Sequence, residues 1–299
     1  HPGLVDAFQL GYANRTLAYR LPEKQVAAGA KLRGALQRLG VLRASGHEHL
    51  QGSLVVPLFD AAGAVTGLYG RKIGERQRPG TPLHLYLPGP HRGVFNLAGL
   101  RGAQTVVLCE ALIDALSVWC AGEPAVTSAY GVSGCTAEIL DALQSEGVQR
   151  VLIAYDGDAA GERAARALAP VLQARGMSAW RVMFPEGLDA NACLQVEGAS
   201  ALRALIAQTR RMEVGGEIVA DAVDEIEAAG DVVAAGEAIK CALVEEPAPE
   251  APPSPAGASP EVAASATPVE ILPLAAAVAP AVASTAAAAE PAGELIEHT

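Results

Sequence analysis

The apolar run Val151-Leu152-Ile153-Ala154-Tyr155 ends abruptly in Asp156-Gly157-Asp158. That pattern reads as a buried parallel strand delivering two carboxylates to its carboxyl edge. Two further acids stand at equivalent places: Glu110 closes the run Thr105-Val106-Val107-Leu108-Cys109, and Asp189 follows Ala179 to Phe184 after the turn Pro185-Glu186-Gly187-Leu188. Asp114 lies one helical turn beyond Glu110. Carboxylates gathered at one sheet edge repel one another by several kcal/mol in a low-dielectric crevice, so they call for divalent cations. Oxygen ligands without histidine suit hard ions, Mg2+ or Mn2+, and not Zn2+. A hard cation with positions open to water and phosphate is equipment for phosphoryl transfer. A single Asp after a strand equally reads as a helix N-cap, and for Asp158 taken alone that is the better reading. Four acids gathered at the ends of three strands are harder to explain as caps.

Strands and helices alternate from Gln104 onward. Thr105–Glu110, Ala125–Tyr130, Val151–Tyr155 and Ala179–Phe184 have strand character, and Ala111–Cys120, Ala137–Glu146 and Gly161–Arg175 have helical spacing. This grammar predicts a parallel sheet with right-handed crossovers, with ligands outside the carboxyl ends of its strands. Upstream, Leu54–Asp60 and Ala64–Gly70 flank a Gly-containing turn and predict a β-hairpin. The hairpin delivers Arg71 and Lys72, with Arg76 and Arg78 close behind; on spacing alone, a solvated charged hairpin end explains them as well as a binding site. His1–Ala13 carries Leu4, Val5 and Phe8 at helical spacing. Ala27–Leu42 reads as a helix with Leu32, Leu36 and Leu39 on one face and Lys31, Arg33 and Arg38 on the other. Thr81–Gly99, rich in Pro and Gly, reads as an ordered crossing between two subdomains.

The formal charge of −11 is unevenly spread: residues 1–212 carry 21 Lys and Arg against 17 Asp and Glu, whereas residues 213–299 carry Lys240 alone against 16 acids. The body is thus mildly basic, which is compatible with a nucleic-acid partner. Val214, Ile218, Ala222 and Ile226 recur every four residues opposite Asp221, Asp224 and Glu225, as in an acidic amphipathic helix. Beyond Glu245 the Ala/Pro/Glu/Ser composition cannot bury enough surface to order itself. The run Ile271–Ala289 is broken by Pro273 and Pro280 and flanked by acids, a poor membrane span. Five cysteines without a C-x-x-C pair encode neither a disulfide framework nor a zinc ribbon. With no secretory signal, the expected location is the cytoplasm. A start at His1 rather than Met points to an upstream piece.

Several motifs carry a resemblance. Glu110-Ala-Leu-Ile-Asp114, the turn Tyr130-Gly131, Asp156-Gly-Asp-Ala-Ala-Gly161 and Gly187-Leu-Asp189, in that order, resemble the Toprim domain shared by bacterial DnaG-type primases, topoisomerases, OLD-type nucleases and RecR-like repair proteins. The stretch H-P-x-x-x-x-x-F-x-L-G-Y-A at His1–Ala13, with V-x-P-L-x-D-x-x-G-x-V-x-G-x-x-G-R at Val55–Arg71, is similar to the basic N-terminal subdomain of the primase polymerase core. The wording L-H-L-Y-L-P-G-P-H-R-G-V-F-N is closer to primase-like proteins of mobile elements. The resemblance implies an α/β fold: a Toprim-type parallel sheet with helices on both faces at 101–212, preceded by a smaller α+β primase-like subdomain at 1–100. An acidic segment with helical spacing at 213–242 and a disordered Ala/Pro/Glu-rich tail at 243–299 would follow.

The resemblance implies that Glu110 lies beside the reacting 3′-hydroxyl and a metal, that Asp156 and Asp158 are metal ligands, and that Asp189 supports a further metal. It places Arg71 and Lys72, with Arg76 and Asp114, on the substrate and nucleic-acid side. The implied reaction is template-directed primer synthesis from ribonucleoside triphosphates on single-stranded DNA with Mg2+ or Mn2+, with a replicative helicase as a partner. Zinc enters only if a zinc domain precedes His1. Three positions depart from the family's usual wording: Ala111 replaces Gly, Asp189-Ala190-Asn191 replaces D-P-D, and Leu85 replaces a Lys. Two other readings use the same residues, a Toprim metal-dependent nuclease and a non-catalytic DNA-binding accessory. A topoisomerase needs a large strand-passage domain with a nucleophilic Tyr that this length does not house.

Overall fold

The computed structural model of the chain describes residues 3–74 and 80–213. Arg76, Arg78, the acidic segment beyond Glu213 and the tail lie outside the described residues.

The chain opens with α1 (Leu4–Phe8), β1 (Gly11–Tyr12), α2 (Leu17–Arg20) and α3 (Ala27–Arg38). Phe8 gives α1 its anchor: it is buried and stacks on Phe95 with ring centroids 4.8 Å apart, and meets Trp119 edge-on at 5.3 Å. Helix α3 stops short of the expected Leu42, because Gly40 takes φ +75°, a left-handed conformation that ends a helix cheaply only at glycine. Its leucine face is not core, with Leu32 and Leu39 exposed. The helix instead seats its buried Gly29 on the backbone of Pro22 and Glu23, where a Cβ would fall 2.0 Å from the Glu23 carbonyl. Arg33 staples the same turn by donating to the carbonyls of Ala18 and Pro22.

The hairpin forms as β2 (Ser53–Phe59) and β3 (Val65–Lys72), in register Val56↔Tyr69 and Leu54↔Arg71. Asp60 closes the turn by accepting from the amides of Ala62 and Ala64, both at 2.9 Å. The Thr81–Gly99 crossing contributes two elements that its composition concealed. One is β4 (His84–Tyr86), which completes an antiparallel sheet of order β1-β2-β3-β4, and the other is α4 (Leu97–Leu100).

The second sheet has the order β6-β5-β7-β8-β9, built from β5 (Thr105–Cys109), β6 (Val126–Ser128), β7 (Arg150–Ala154), β8 (Ser178–Val182) and β9 (Thr209–Arg211). The first four are mutually parallel, as expected; β9 is an antiparallel edge strand that the polar Thr-Arg-Arg run did not announce. Side chains alternate across each strand, so the sheet is apolar on both faces. Val106, Leu108, Val151 and Ile153 pack under α6 (Ala137–Ser145) and α7 (Ala159–Ala174). Val107, Cys109, Leu152 and Ala154 pack under α5 (Leu112–Cys120), α8 (Ala190–Glu197) and α9 (Ala199–Ala207). This second core runs on into Val56, Leu58 and Tyr69 of the hairpin, which seats the antiparallel sheet on the α5 side of the parallel one. Among the described residues no helix is long and apolar enough to cross a membrane.

Candidate functional site

Backbone geometry brings the acids together. Gly157 donates to the Leu188 carbonyl and Gly187 to the Gly157 carbonyl, each at 2.9 Å, so the turn after β7 is zipped to the turn after β8. Only glycine permits this approach, since a Cβ on Gly157 would lie 2.3 Å from the Pro185 carbonyl oxygen. The result is a cluster in which Asp114, Asp156 and Asp189 each place a ligand atom within 4.8 Å of the others. Asp114 comes up from the first turn of α5, is only 3 % exposed, and accepts from the Asn191 amide at 3.1 Å. Burial, and then the charge of Asp189, push its pKa from 3.8 up to about 8. Asp156 is pushed up to about 6, again first by burial and then by Asp189. Three carboxylates gathered this closely, offering oxygen donors alone, match a hard divalent cation. The donor set fits the metal that the motifs imply.

The grouping differs from the sequence expectation at two residues. Asp114, placed on the substrate side, is the most buried member of the triad. Asp158, placed among the ligands, is the N-cap of α7 and accepts from the Gly161 amide at 2.7 Å. Asp189 also caps a helix, accepting from Ala192 through Oδ1 at 2.5 Å, while belonging to the cluster. Glu110 lies beside the triad. Its Oε2 is buried with no hydrogen-bond partner among the described residues, and its pKa is pushed up to about 7, chiefly by burial and then by Asp156.

Arg181 gives no signal in the sequence because it sits inside an otherwise apolar strand. It is 4 % exposed and donates to the carbonyls of Ile153, Tyr155, Asp156 and Val182 at 2.8 to 3.2 Å. It also pairs with Glu162 at 3.2 Å. The guanidinium thus clasps the carboxyl end of β7 under the acids, and its charge lowers the pKa values of Glu110 and Asp156 against the stronger upward pull. The altered motif positions are accommodated. Ala111 has φ −119°, open to any residue, and the Asn191 side chain turns to Ser117 and Gln195.

The antiparallel sheet supplies the neighbouring wall. Arg71 and His84 are paired across β3 and β4, and an Arg71 guanidinium nitrogen meets His84 Nε2. On its other side His84 Nδ1 shares a hydrogen bond with the Tyr69 hydroxyl at 2.9 Å. Burial and Arg71 hold His84 below its ordinary pKa, while Asp189 pulls the other way. Asp114 raises the phenol pKa values of Tyr69 and Tyr86, secondary to burial. These couplings put the Arg71 face of the hairpin beside the acids. Lys72 does not join it. Successive residues on a strand point to opposite faces, and the Lys72 ammonium donates to the Gln51 carbonyl near Arg43 and Arg15. Arg76 lies outside the described residues.

Residues 107–194 match the family model described as Toprim-like. The DNA primase of Aquifex aeolicus is 31 % identical over 164 residues, covering 51 % of this chain and 32 % of that protein. The DNA primase of Chlamydia trachomatis is 28 % identical over 218 residues, covering 69 % and 35 %. The chain therefore spans about a third of the length of these relatives. Among solved structures, the zinc-binding and RNA polymerase domains of the Aquifex aeolicus primase superpose with a TM-score of 0.56 at 24 % identity, covering 71 % of this chain and 54 % of that one. The RNA polymerase domain of Mycobacterium tuberculosis DnaG superposes with a TM-score of 0.56 at 19 % identity, covering 83 % of each. A DnaG catalytic domain bound to single-stranded DNA gives 0.56 at 22 % identity over 71 % of each chain.

Proposed function

We propose that this chain, a bacterial DnaG-type primase core by its sequence relatives and its fold, joins ribonucleotides into short RNA primers on a single-stranded DNA template. The observation that carries the reading is the Asp114–Asp156–Asp189 cluster, whose oxygen donors lie within 4.8 Å of one another. A divalent cation held there, Mg2+ or Mn2+, would polarise phosphoryl oxygens and lower the pKa of an attacking hydroxyl. Glu110 stands next to the cluster as the proton acceptor for the primer's 3′-hydroxyl. Its Oε2 is buried without a hydrogen-bond partner among the described residues, so it is open to accept that proton. The hydroxyl oxygen then bonds to the α-phosphorus of the incoming nucleoside triphosphate, and pyrophosphate leaves. Asp158 contributes by fixing the start of α7, and Arg181 by holding the β7 edge that carries Asp156. Arg71, oriented by His84, meets the charge of the triphosphate or the template backbone. In the cell this core acts in the cytoplasm, alongside a replicative helicase that presents single-stranded template.

The test is incubation of the full chain with a single-stranded template, labelled ribonucleoside triphosphates and Mg2+ or Mn2+, beside Asp156→Ala and Glu110→Ala. Oligomers that require nucleotide and vanish in both variants support the reading. Shortening of the template instead would mark a nuclease, and DNA binding with neither reaction would mark an accessory protein.

A further inference from the structure

The crossing segment and the turn after β6 build an aromatic stack that the acid chemistry does not use. The imidazole of His91 lies flat on the Tyr130 ring, with centroids 4.5 Å apart and planes only 8° from parallel. Tyr86 braces both from the side, its centroid 4.7 Å from His91 and 5.2 Å from Tyr130. Tyr130 is fixed at its far end, where its hydroxyl donates to the carbonyls of Arg92 and Gly93 at 2.7 and 2.8 Å. Gly93 is itself held by Glu138, which accepts from its amide at 2.9 Å. The base of the stack is therefore immobilised by hydrogen bonds, while His91 on top is exposed. One face of the imidazole rests on Tyr130, and the residue as a whole is exposed. Burial of Tyr86 and Tyr130 explains their own packing but leaves unexplained why a flat ring is laid on them toward solvent.

The place of the stack is specific. Tyr130 follows β6 at the carboxyl edge of the parallel sheet, and the next amide, Gly131, donates to the Glu110 carbonyl at 3.0 Å. Tyr86 feels the charge of Asp114. The stack thus adjoins the acids on the side of Glu110, and Arg92, exposed beside His91, adds a cation at its rim. Every nucleobase has a π-face, and a rigid aromatic platform beside a cation is how single-stranded nucleic acid is held without reading its sequence. Partial burial lowers the His91 pKa, which favours the neutral ring near pH 7, so it offers a surface rather than a charge for phosphate.

We propose that the exposed imidazole of His91, backed by Tyr130 and Tyr86, is a nucleobase-stacking platform that positions one base beside the acidic cluster. The proposal rests on the primase reading for the presence of a polynucleotide or nucleotide there, and adds where a base sits. Two sources share this chemistry, a base of the template strand and the base of the incoming triphosphate.

The test measures binding of the full chain to a single-stranded oligonucleotide carrying 2-aminopurine, and separately to 2-aminopurine ribonucleoside triphosphate, by quenching of the probe. The proteins are wild type, His91→Ala, His91→Leu and His91→Phe. The expected result is that His91→Ala and His91→Leu weaken one of the two ligands by roughly tenfold and lose the quench, the order that one base–aromatic stack contributes. His91→Phe should retain both. The dependence of binding on salt should be unchanged in all variants, because a neutral ring releases no counterion. The ligand affected identifies the source of the base. His91→Leu covers Tyr130 without a π-face, so loss in that variant with an unchanged melting temperature separates stacking from packing. Wild-type quenching with no change in His91→Ala or His91→Leu overturns the platform and leaves the primase reading standing. Absence of wild-type binding to both probes overturns the two together.

Discussion

The two sheets meet at one site but deliver their side chains by different rules. The parallel sheet works at strand ends. β5, β7 and β8 all run the same way, so Glu110, Asp156 and Asp189 arrive at one edge whatever the side-chain alternation within each strand. The antiparallel sheet works by alternation. On β3, Tyr69 and Arg71 both reach His84, which feels the charge of Asp189, whereas Lys72, one residue on, reaches the Gln51 carbonyl. A one-residue difference is harmless to the first arrangement and reverses the second. Substitutions at strand ends should accordingly change chemistry by metal loss, and those on the hairpin should divide by parity.

The largest effect belongs to the acid edge. Asp156→Ala should reduce primer synthesis by on the order of a thousandfold, since a catalytic cation supplies several kcal/mol of transition-state stabilisation. The same variant should bind Mn2+ more weakly, as read by electron paramagnetic resonance. Synthesis at near wild-type rates would remove Asp156 from the metal set. Arg181→Met comes next. It leaves Glu162, which is part-exposed and still paired with Arg166, with one partner fewer, and it deprives four carbonyls of their donor; leaving a buried acceptor unsatisfied costs about 1–3 kcal/mol. Denaturant unfolding should show that loss, and a cost under about 0.5 kcal/mol would mean that the clasp is dispensable.

Asp114 yields a prediction of opposite sign in the absence of metal. The folded pKa values of Asp114 and Asp156 are raised from 3.8 to about 8 and about 6. The folded apoprotein therefore binds more protons than the unfolded chain between about pH 4 and 8, and its stability falls as pH rises through that window. Asp114→Asn keeps an acceptor for the Asn191 amide and removes the charge. At pH 8 without divalent ions it should melt higher than wild type, by roughly 2–4 °C for each kcal/mol of repulsion relieved. It should also lose the extra stabilisation that Mn2+ confers on wild type, which should itself grow from pH 6 to pH 8. A variant that melts lower and still responds to Mn2+ would place Asp114 outside the triad.

What the sequence discloses follows the same division. Apolar runs ending in acids announce strands β5, β7 and β8 and the edge where they converge, because a strand end is a local event. Membership of the triad is not local. Asp156 and Asp189 are drawn together by the zipped turns at Gly157 and Gly187, Asp114 is tied to them through the Asn191 amide, and Asp158 accepts from an amide three residues on. Strand β4 is hidden in the Pro/Gly-rich crossing because three residues are too few to show alternation, and β9 because edge strands need no apolar face. Arg181 gives no signal because its partners, the carbonyls of Ile153 and Asp156, lie 28 and 25 residues away at the end of β7 and just beyond it.

The smallest effects test parity on the hairpin. Arg71 and Lys72 are neighbours in sequence, and a basic cluster would treat them alike. The structure separates them. Arg71 is oriented by His84, which Asp189 faces electrostatically, whereas Lys72 is committed to a carbonyl on the opposite face with Arg43 and Arg15 for company. Arg71→Ala should then weaken triphosphate or template binding by roughly tenfold, the worth of a charge-assisted hydrogen bond. Lys72→Ala should change it by about twofold or less, as for a charge held on the opposite face and distant from the ligand. Measured over a salt series, Arg71→Ala should lower the slope of log Kd against log salt by about one for each phosphate that Arg71 neutralises, and Lys72→Ala should leave it unaltered. Equal weakening in the two variants would require the nucleic acid to wrap around the hairpin edge and touch both faces, a path that alternation along β3 otherwise forbids.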